Sequence, residues 1–170
     1  MSFSLAQPGH LFLSGYMGVG KSTVGALLAS LSGRPFVDLD HWIERGTKMG
    51  ILEIFESEGE AGFRKYESAA IAALRTYPAA IVALGGGAVV DPHNRQRIRA
   101  LGHLITLTAQ PRTLFERLSG GTHRPLVRGS DPLERLAARA SAYADADGSV
   151  VTDGRTPNEI AAVLLREWLS

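Results

Sequence analysis

Five short apolar runs separated by amphipathic stretches constrain this chain more than any other feature. Leu11-Phe-Leu13 ends at Gly15, Phe36-Val37 at Asp38, and Ala80-Ile-Val-Ala-Leu84 at Gly85-Gly86-Gly87. Leu104-Ile-Thr-Leu107 and Ser149-Val-Val-Thr152 are of the same kind. Runs this short, bounded by glycine or aspartate, read as strands covered on both faces. The stretches between them carry helical periodicity. Val24, Leu27, Leu28 and Leu31 recur at i, i+3, i+4 and i+7. Phe63, Ala70, Ile71 and Leu74 mark one face of a helix over about 60–76. Ile160, Val163, Leu164 and Trp168 mark a last helix with Pro157 near its start. Strand–helix alternation of this kind predicts an α/β fold: three α/β/α layers, a five-stranded parallel sheet and right-handed crossovers. Ligands in such sheets sit beyond the carboxyl ends of the strands. The glycine- and aspartate-rich strand ends are therefore expected to meet in one crevice.

The first strand end carries the most specific signal. Gly15-Tyr-Met-Gly18-Val19-Gly20-Lys21-Ser22-Thr23 satisfies G-x-x-x-x-G-K-[ST], after a predicted strand and at the opening of a predicted helix, the context that motif requires. Glycines let successive backbone N–H groups turn inward around phosphate oxygens. The helix N-terminus adds a partial positive charge. Gly18 through Thr23 are the expected nucleotide-binding stretch. Lys21 can bridge β- and γ-phosphates, and the Ser22 hydroxyl can ligate Mg²⁺. A second carboxylate contact to magnesium usually comes from a neighbouring strand end. The strand Ala80–Leu84 ends in three glycines, whereas Asp38-Leu-Asp40 closes the second strand. On a strand, residues two apart point to one side. Asp38 then suits the magnesium shell, and Asp40 suits an acceptor hydroxyl that it orients or deprotonates. The same Asp40 would also serve as an ordinary N-cap of a helix over 41–48.

Composition narrows the classes. The 170 residues are 45% apolar and 21% charged, which excludes a disordered chain and fits one domain over 1–170. The net charge of +1, from 18 basic and 17 acidic residues, argues against a nucleic-acid partner held by bulk attraction. There is no cysteine, so disulfide scaffolds and thiolate chemistry are absent, in keeping with a reducing cytoplasm. No run approaches the roughly 18 apolar residues of a spanning helix, and Met1–His10 lacks the pattern of a signal peptide, so no membrane partner is expected. Without an obvious apolar patch, a monomer is expected.

Gly15–Thr23, Phe36-Val-Asp38-Leu-Asp40, Ile54-Phe55, Gly59-Glu60-Ala-Gly-Phe63-Arg64-Lys-Tyr-Glu67, Leu84-Gly-Gly-Gly87 and Arg124-Pro125-Leu126 follow one another in a characteristic order and spacing. In this the chain resembles the shikimate kinase family over essentially its whole length. The resemblance implies Mg²⁺-assisted, ATP-dependent phosphorylation of the 3-hydroxyl of shikimate, on the route to chorismate and aromatic amino acids. It implies that Arg64 binds the substrate carboxylate and that Glu67 holds Arg64 in place. Read without the resemblance, Arg64 and Glu60 form an i,i+4 ion pair. Arg139, in Arg139-Ala-Ser-Ala-Tyr143, matches a second substrate arginine. Gly85, Gly86 and Gly87 let the backbone approach the substrate, with the Gly86 N–H donating, and Phe55 and Phe63 wall the ring. The resemblance further implies a lid over about 119–129 that brings Arg124 to the transferring phosphoryl group, Arg117 packed on the nucleotide, and Arg155 in a loop flanking the adenine. The substrate region is about 40–67.

Three departures stand out. The lid is one residue short between Gly121 and Arg124 relative to some relatives. Ala83 replaces a frequent serine, and Thr47-Lys-Met-Gly50 differs from the usual Thr-Gly-x-Ser. None removes a catalytic group. Two other readings remain at this point: a kinase of another small hydroxylated metabolite, and a kinase-like sensing domain without catalysis. His10, His41, His93, His103 and His123 lack metal-ligand spacing and read as surface or capping residues. Trp42 and Trp168 read as packing, and Asp145 and Asp147 as a solvated helix end.

Overall fold

The computed structural model describes residues 9–119 and 131–169. Among them, strands β1 (His10–Ser14), β2 (Phe36–Asp38), β3 (Ile81–Ala83), β4 (Gly102–Thr108) and β5 (Gly148–Val151) form one parallel sheet in the order β2-β3-β1-β4-β5. The α-helices are α1 (Lys21–Ser32), α2 (Leu39–Thr47), α3 (Ile51–Ala73), α4 (Pro92–Leu101), α5 (Pro111–Ser119), α6 (Pro132–Ala144) and α7 (Pro157–Trp168). This is the expected α/β architecture. The connection from β1 runs to one edge of the sheet, and the later ones run towards the other. Right-handed crossovers then place α1 on one face and α3, α4 and α6 on the opposite face. Helix α7 joins α1, burying Ile160, Ala161 and Leu164 on its inner side. Covered on both faces, β1 is buried at every position, as its unbroken apolar run requires. No helix among the described residues is long and apolar enough to cross a membrane.

Several local expectations are corrected. The helix expected from about 60 begins at Ile51, and Gly59 (φ 70°, ψ −177°) breaks it. Only Ile54 of the first half is fully buried, so that half shows no apolar stripe. On α1, Leu31 is exposed, and the inner face is Val24, Gly25, Leu28 and Ala29. A Cβ on Gly25 would stand 2.6 Å from Phe36 Cε2. The helix therefore approaches the sheet through a residue that apolar periodicity ignores.

His10 is neither on the surface nor a cap. It is buried at the start of β1, its Nδ1 accepts the Ala80 N–H (3.1 Å), and its Nε2 lies 2.9 Å from the Leu74 carbonyl. Because Nδ1 accepts, Nε2 carries the proton and donates. Nor is the end of α6 merely solvated. Asp145 pairs with Arg95 (2.9 Å) and Arg99, and Asp147 accepts the Leu104 N–H (2.8 Å). Trp42 packs edge-on against Tyr77, and Trp168 against His103, in their expected packing roles.

Candidate active site

The sheet register builds the site. Leu13, Asp38 and Ala83 are partners across β1, β3 and β2. Gly15, Asp40 and Gly85 each lie two residues further on, so three loops leave the same edge of the sheet side by side. The strand order also reverses direction at β1, where a crevice opens.

The loop after β1 turns at Gly15, Gly18 and Gly20, all with positive φ. At Gly15 a Cβ would stand 2.4 Å from the Leu107 carbonyl, so only glycine fits against β4 there. Lys21 is 9% exposed, and its Nζ donates to the carbonyls of Gly15 (2.6 Å) and Tyr16 (3.1 Å). These bonds hold the ammonium inside the loop. Ser22 Oγ donates to Asp38 Oδ2 at 2.7 Å, Val19 is buried beneath the loop, and Thr23 is exposed.

The two aspartates reach the crevice by a different route from the one expected. Helix α2 starts at Leu39, so alternation along a strand does not apply to Asp40. Asp38, not Asp40, is the N-cap: its Oδ1 accepts the N–H groups of Asp40 (3.1 Å) and His41 (3.3 Å). Asp40 sits in the first helical turn. Its Oδ1 lies 3.0 Å from where a Cβ on Gly85 would stand.

The Gly85–Gly87 loop is ringed by charge. A Cβ on Gly85 would also stand 3.1 Å from Glu67 Oε2, one on Gly86 3.2 Å from Arg139 Nη1, and one on Gly87 2.3 Å from Arg64 Nη2. The Gly86 position lies 3.8 Å from the Met17 backbone nitrogen, which joins this loop to the phosphate loop. Arg64 Nη1 donates to Glu67 Oε1 at 2.7 Å and Nη2 to Glu60 Oε1 at 3.2 Å. Two carboxylates of the helix, Glu60 and Glu67, therefore hold the guanidinium. Burial pushes the Glu67 carboxyl above its usual range, although Arg64 pulls the other way. Burial opposes the charge on Arg64, but Glu67 and Glu60 together raise its affinity for the proton. Phe55 and Phe63 stack at 4.7 Å, with Arg64 over the Phe63 ring.

On the far side of the phosphate loop, Arg117 Nη1 reaches the carbonyls of Gly18 and Val19 (both 3.4 Å) and Thr152 Oγ1 (3.2 Å). Arg155 is exposed in the turn between β5 and α7. Arg124 and His123 lie outside the described residues. The sequence reading passed over several participants. Tyr143 donates from its hydroxyl to the Gly86 carbonyl, and its spacing of four from Arg139 on α6 was the available signal. Asn94 bridges Ser68 (2.9 Å) and the Ala88 carbonyl (3.2 Å). Asp153 ties Thr113 to the turn that carries Arg155.

The parallel sheet and the phosphate loop define a P-loop phosphotransferase fold. A family model described as shikimate kinase matches residues 17–169. The shikimate kinase of Symbiobacterium thermophilum is 41% identical over 165 residues, covering 93% of this chain and 95% of that protein. That of Geobacter sulfurreducens is 42% identical over 165 residues, covering 93% and 91%. The solved structure of shikimate kinase from Acinetobacter baumannii in complex with shikimate superimposes with a TM-score of 0.87 at 34% identity, covering 96% of this chain and 94% of that one. The chain belongs to the shikimate kinase family.

Proposed function

We propose that this enzyme transfers the γ-phosphoryl group of ATP to the 3-hydroxyl of shikimate, and that the crevice between the phosphate loop and Gly85–Gly87 is where it does so. One observation carries the reading: Asp40, Arg64, Glu67 and Arg139 converge on a glycine loop that abuts the phosphate loop. Anion and hydroxyl recognition thus stand next to phosphate recognition.

The two arginines supply forked donors for the substrate carboxylate. Glu67 and Glu60 hold Arg64, and the paired Phe55 and Phe63 present an apolar wall to the ring. Backbone at Gly85–Gly87 approaches the acceptor closely, because a Cβ at any of the three would press on Asp40, Glu67, Arg139 or Arg64. Gly18–Thr23 cradle the phosphates, with Arg117 and Arg155 towards the nucleoside. In the transfer, the acceptor oxygen attacks in line and its new P–O bond replaces the bond to ADP. Lys21 offsets charge on the phosphoryl oxygens, while Asp40 orients the hydroxyl and takes its proton.

Ser22 and Asp38 are hard oxygen donors 2.7 Å apart at the mouth of the loop, a set that fits Mg²⁺. Bound there with the nucleotide, the ion would neutralise phosphate charge. Among the described residues no cluster of three or more His, Cys, Asp or Glu competes for a metal. On this reading the whole chain acts as one domain. It works as a cytoplasmic monomer with two small-molecule partners, and takes no part in nucleic-acid or membrane binding.

The test is ADP release with ATP and Mg²⁺ in the presence of shikimate, gluconate or nucleoside monophosphates. Release with shikimate alone is expected. Equal release with all three, or none with shikimate, overturns the reading.

A further inference from the structure

We infer that Tyr143 is a positioning residue for the acceptor, holding the Gly86–Gly87 peptide and the Arg139 guanidinium in one fixed arrangement. The inference rests on the acceptor site proposed above.

Tyr143 and Arg139 lie four residues apart on α6 and so share a face. Both meet Gly86: the Tyr143 hydroxyl donates to its carbonyl, and Arg139 Nη1 lies beside its Cα. A Cβ on Gly86 would stand 3.2 Å from Arg139 Nη1 and 3.8 Å from the Tyr143 hydroxyl, so the two groups flank the same point of the loop. A trans peptide is planar, with C=O and N–H on opposite sides. Fixing the Gly86 carbonyl towards α6 therefore turns the Gly87 N–H the other way. Three glycines in a row have no side chain of their own to set that orientation. The phenol provides it.

Tyr143 is itself pinned. Its main-chain carbonyl accepts from Thr106 Oγ1 at 2.7 Å, and Thr106 Oγ1 lies 2.7 Å from Ser14 Oγ. Thr106 has one hydroxyl proton, so Ser14 must donate to Thr106. Ser14 and Thr106 are register partners on β1 and β4, both buried. The relay thus runs from the strand that ends in the phosphate loop, through β4, to α6 and on to the glycine loop. Burial pushes the Tyr143 hydroxyl above its ordinary pKa, with Arg139 opposing, so it stays a donor. At the other end of α6, Tyr16 of the phosphate loop donates to the Pro132 carbonyl (3.3 Å), and Arg139 lies over the Tyr16 ring.

The test compares wild type, Tyr143→Phe and Tyr143→4-aminophenylalanine, the last keeping a donor at the ring's end. For Tyr143→Phe the KM for shikimate is expected to rise about fivefold to tenfold, as for loss of one buried hydrogen bond. The KM for ATP should stay within twofold, and the 4-amino variant should recover the wild-type value for shikimate. A merely structural role would weaken both substrates alike, and that result overturns the inference. A shikimate KM within twofold of wild type in Tyr143→Phe overturns it as well, leaving the acceptor-site reading intact. Should Tyr143→Phe fail to fold, the 4-amino variant decides: a near-wild-type shikimate KM supports the role, and a tenfold rise overturns it. Wild-type protein without shikimate-dependent ADP release overturns both readings.

Discussion

Ser22 Oγ, in the first turn of α1, donates to Asp38 Oδ2 at the end of β2 across 2.7 Å. The other oxygen of the same carboxylate caps α2. One side chain therefore joins the phosphate loop to the segment that carries Asp40. The two duties separate in Asp38→Asn. Asparagine caps as well as aspartate, so stability should change by less than about 0.5 kcal/mol. The Mg²⁺ concentration for half-maximal activity should rise about tenfold as a charged ligand is lost. Thermal denaturation and a magnesium titration check the pair; equal magnesium curves would count against Asp38 as a ligand.

Gly87→Ala places a methyl group 2.3 Å from Arg64 Nη2 and 2.8 Å from its Cζ. The obstacle is the end of a side chain, so the fold should survive while the guanidinium swings aside. The KM for shikimate is expected to rise at least about tenfold, as when a charged hydrogen bond is lost. The KM for ATP should hold steady. Initial rates with each substrate varied in turn will read the difference.

Glu67 gives a pH signature. Burial sets its folded pKa above the ordinary value of 4.5. Between 4.5 and that raised value, the folded chain binds more protons than the unfolded chain. Its contribution to stability therefore falls as pH rises through this window. Glu67→Gln cannot titrate. The melting temperature of wild type minus that of Glu67→Gln should decline across the window and level off above it. A difference that stays flat, or grows with pH, contradicts the assignment.

His10 lies at the amino end of the sheet, opposite the crevice. His10→Ala strands the Leu74 carbonyl and the Ala80 N–H. A loss of about 3 kcal/mol is expected from these two groups. Urea denaturation should register that loss, while KM for both substrates stays at wild-type values. His10→Gln, able to donate and accept, should recover part of the stability.

What the sequence disclosed follows from where the chemistry lies along the chain. Gly15–Thr23 was readable because one contiguous stretch must supply glycines, lysine and hydroxyl at fixed intervals. The strands were readable because burial on both faces leaves no polar position, as in β1. Asp38 and Asp40 do not share a side by strand alternation, because α2 begins between them, where apolar periodicity gives no warning. Tyr143, Asn94 and His10 act through partners 57, 26 and 70 residues away, and nothing local marks such bonds. Gly25 and Gly59 matter through the absence of a side chain, which hydropathy cannot register. Arg64 was ambiguous for a sound reason. The ion pair with Glu60 exists, and so does the closer one with Glu67 that turns the guanidinium to Gly87.

The packing of α7 on α1 bears on how the chain is made. A ribosome delivers the phosphate loop ahead of β3 and β4, the neighbours of β1, and α1 ahead of the helix translated after every other element described. Until then the side of α1 that meets α7 is uncovered, and the nascent chain carries its nucleotide motif on an unfinished support.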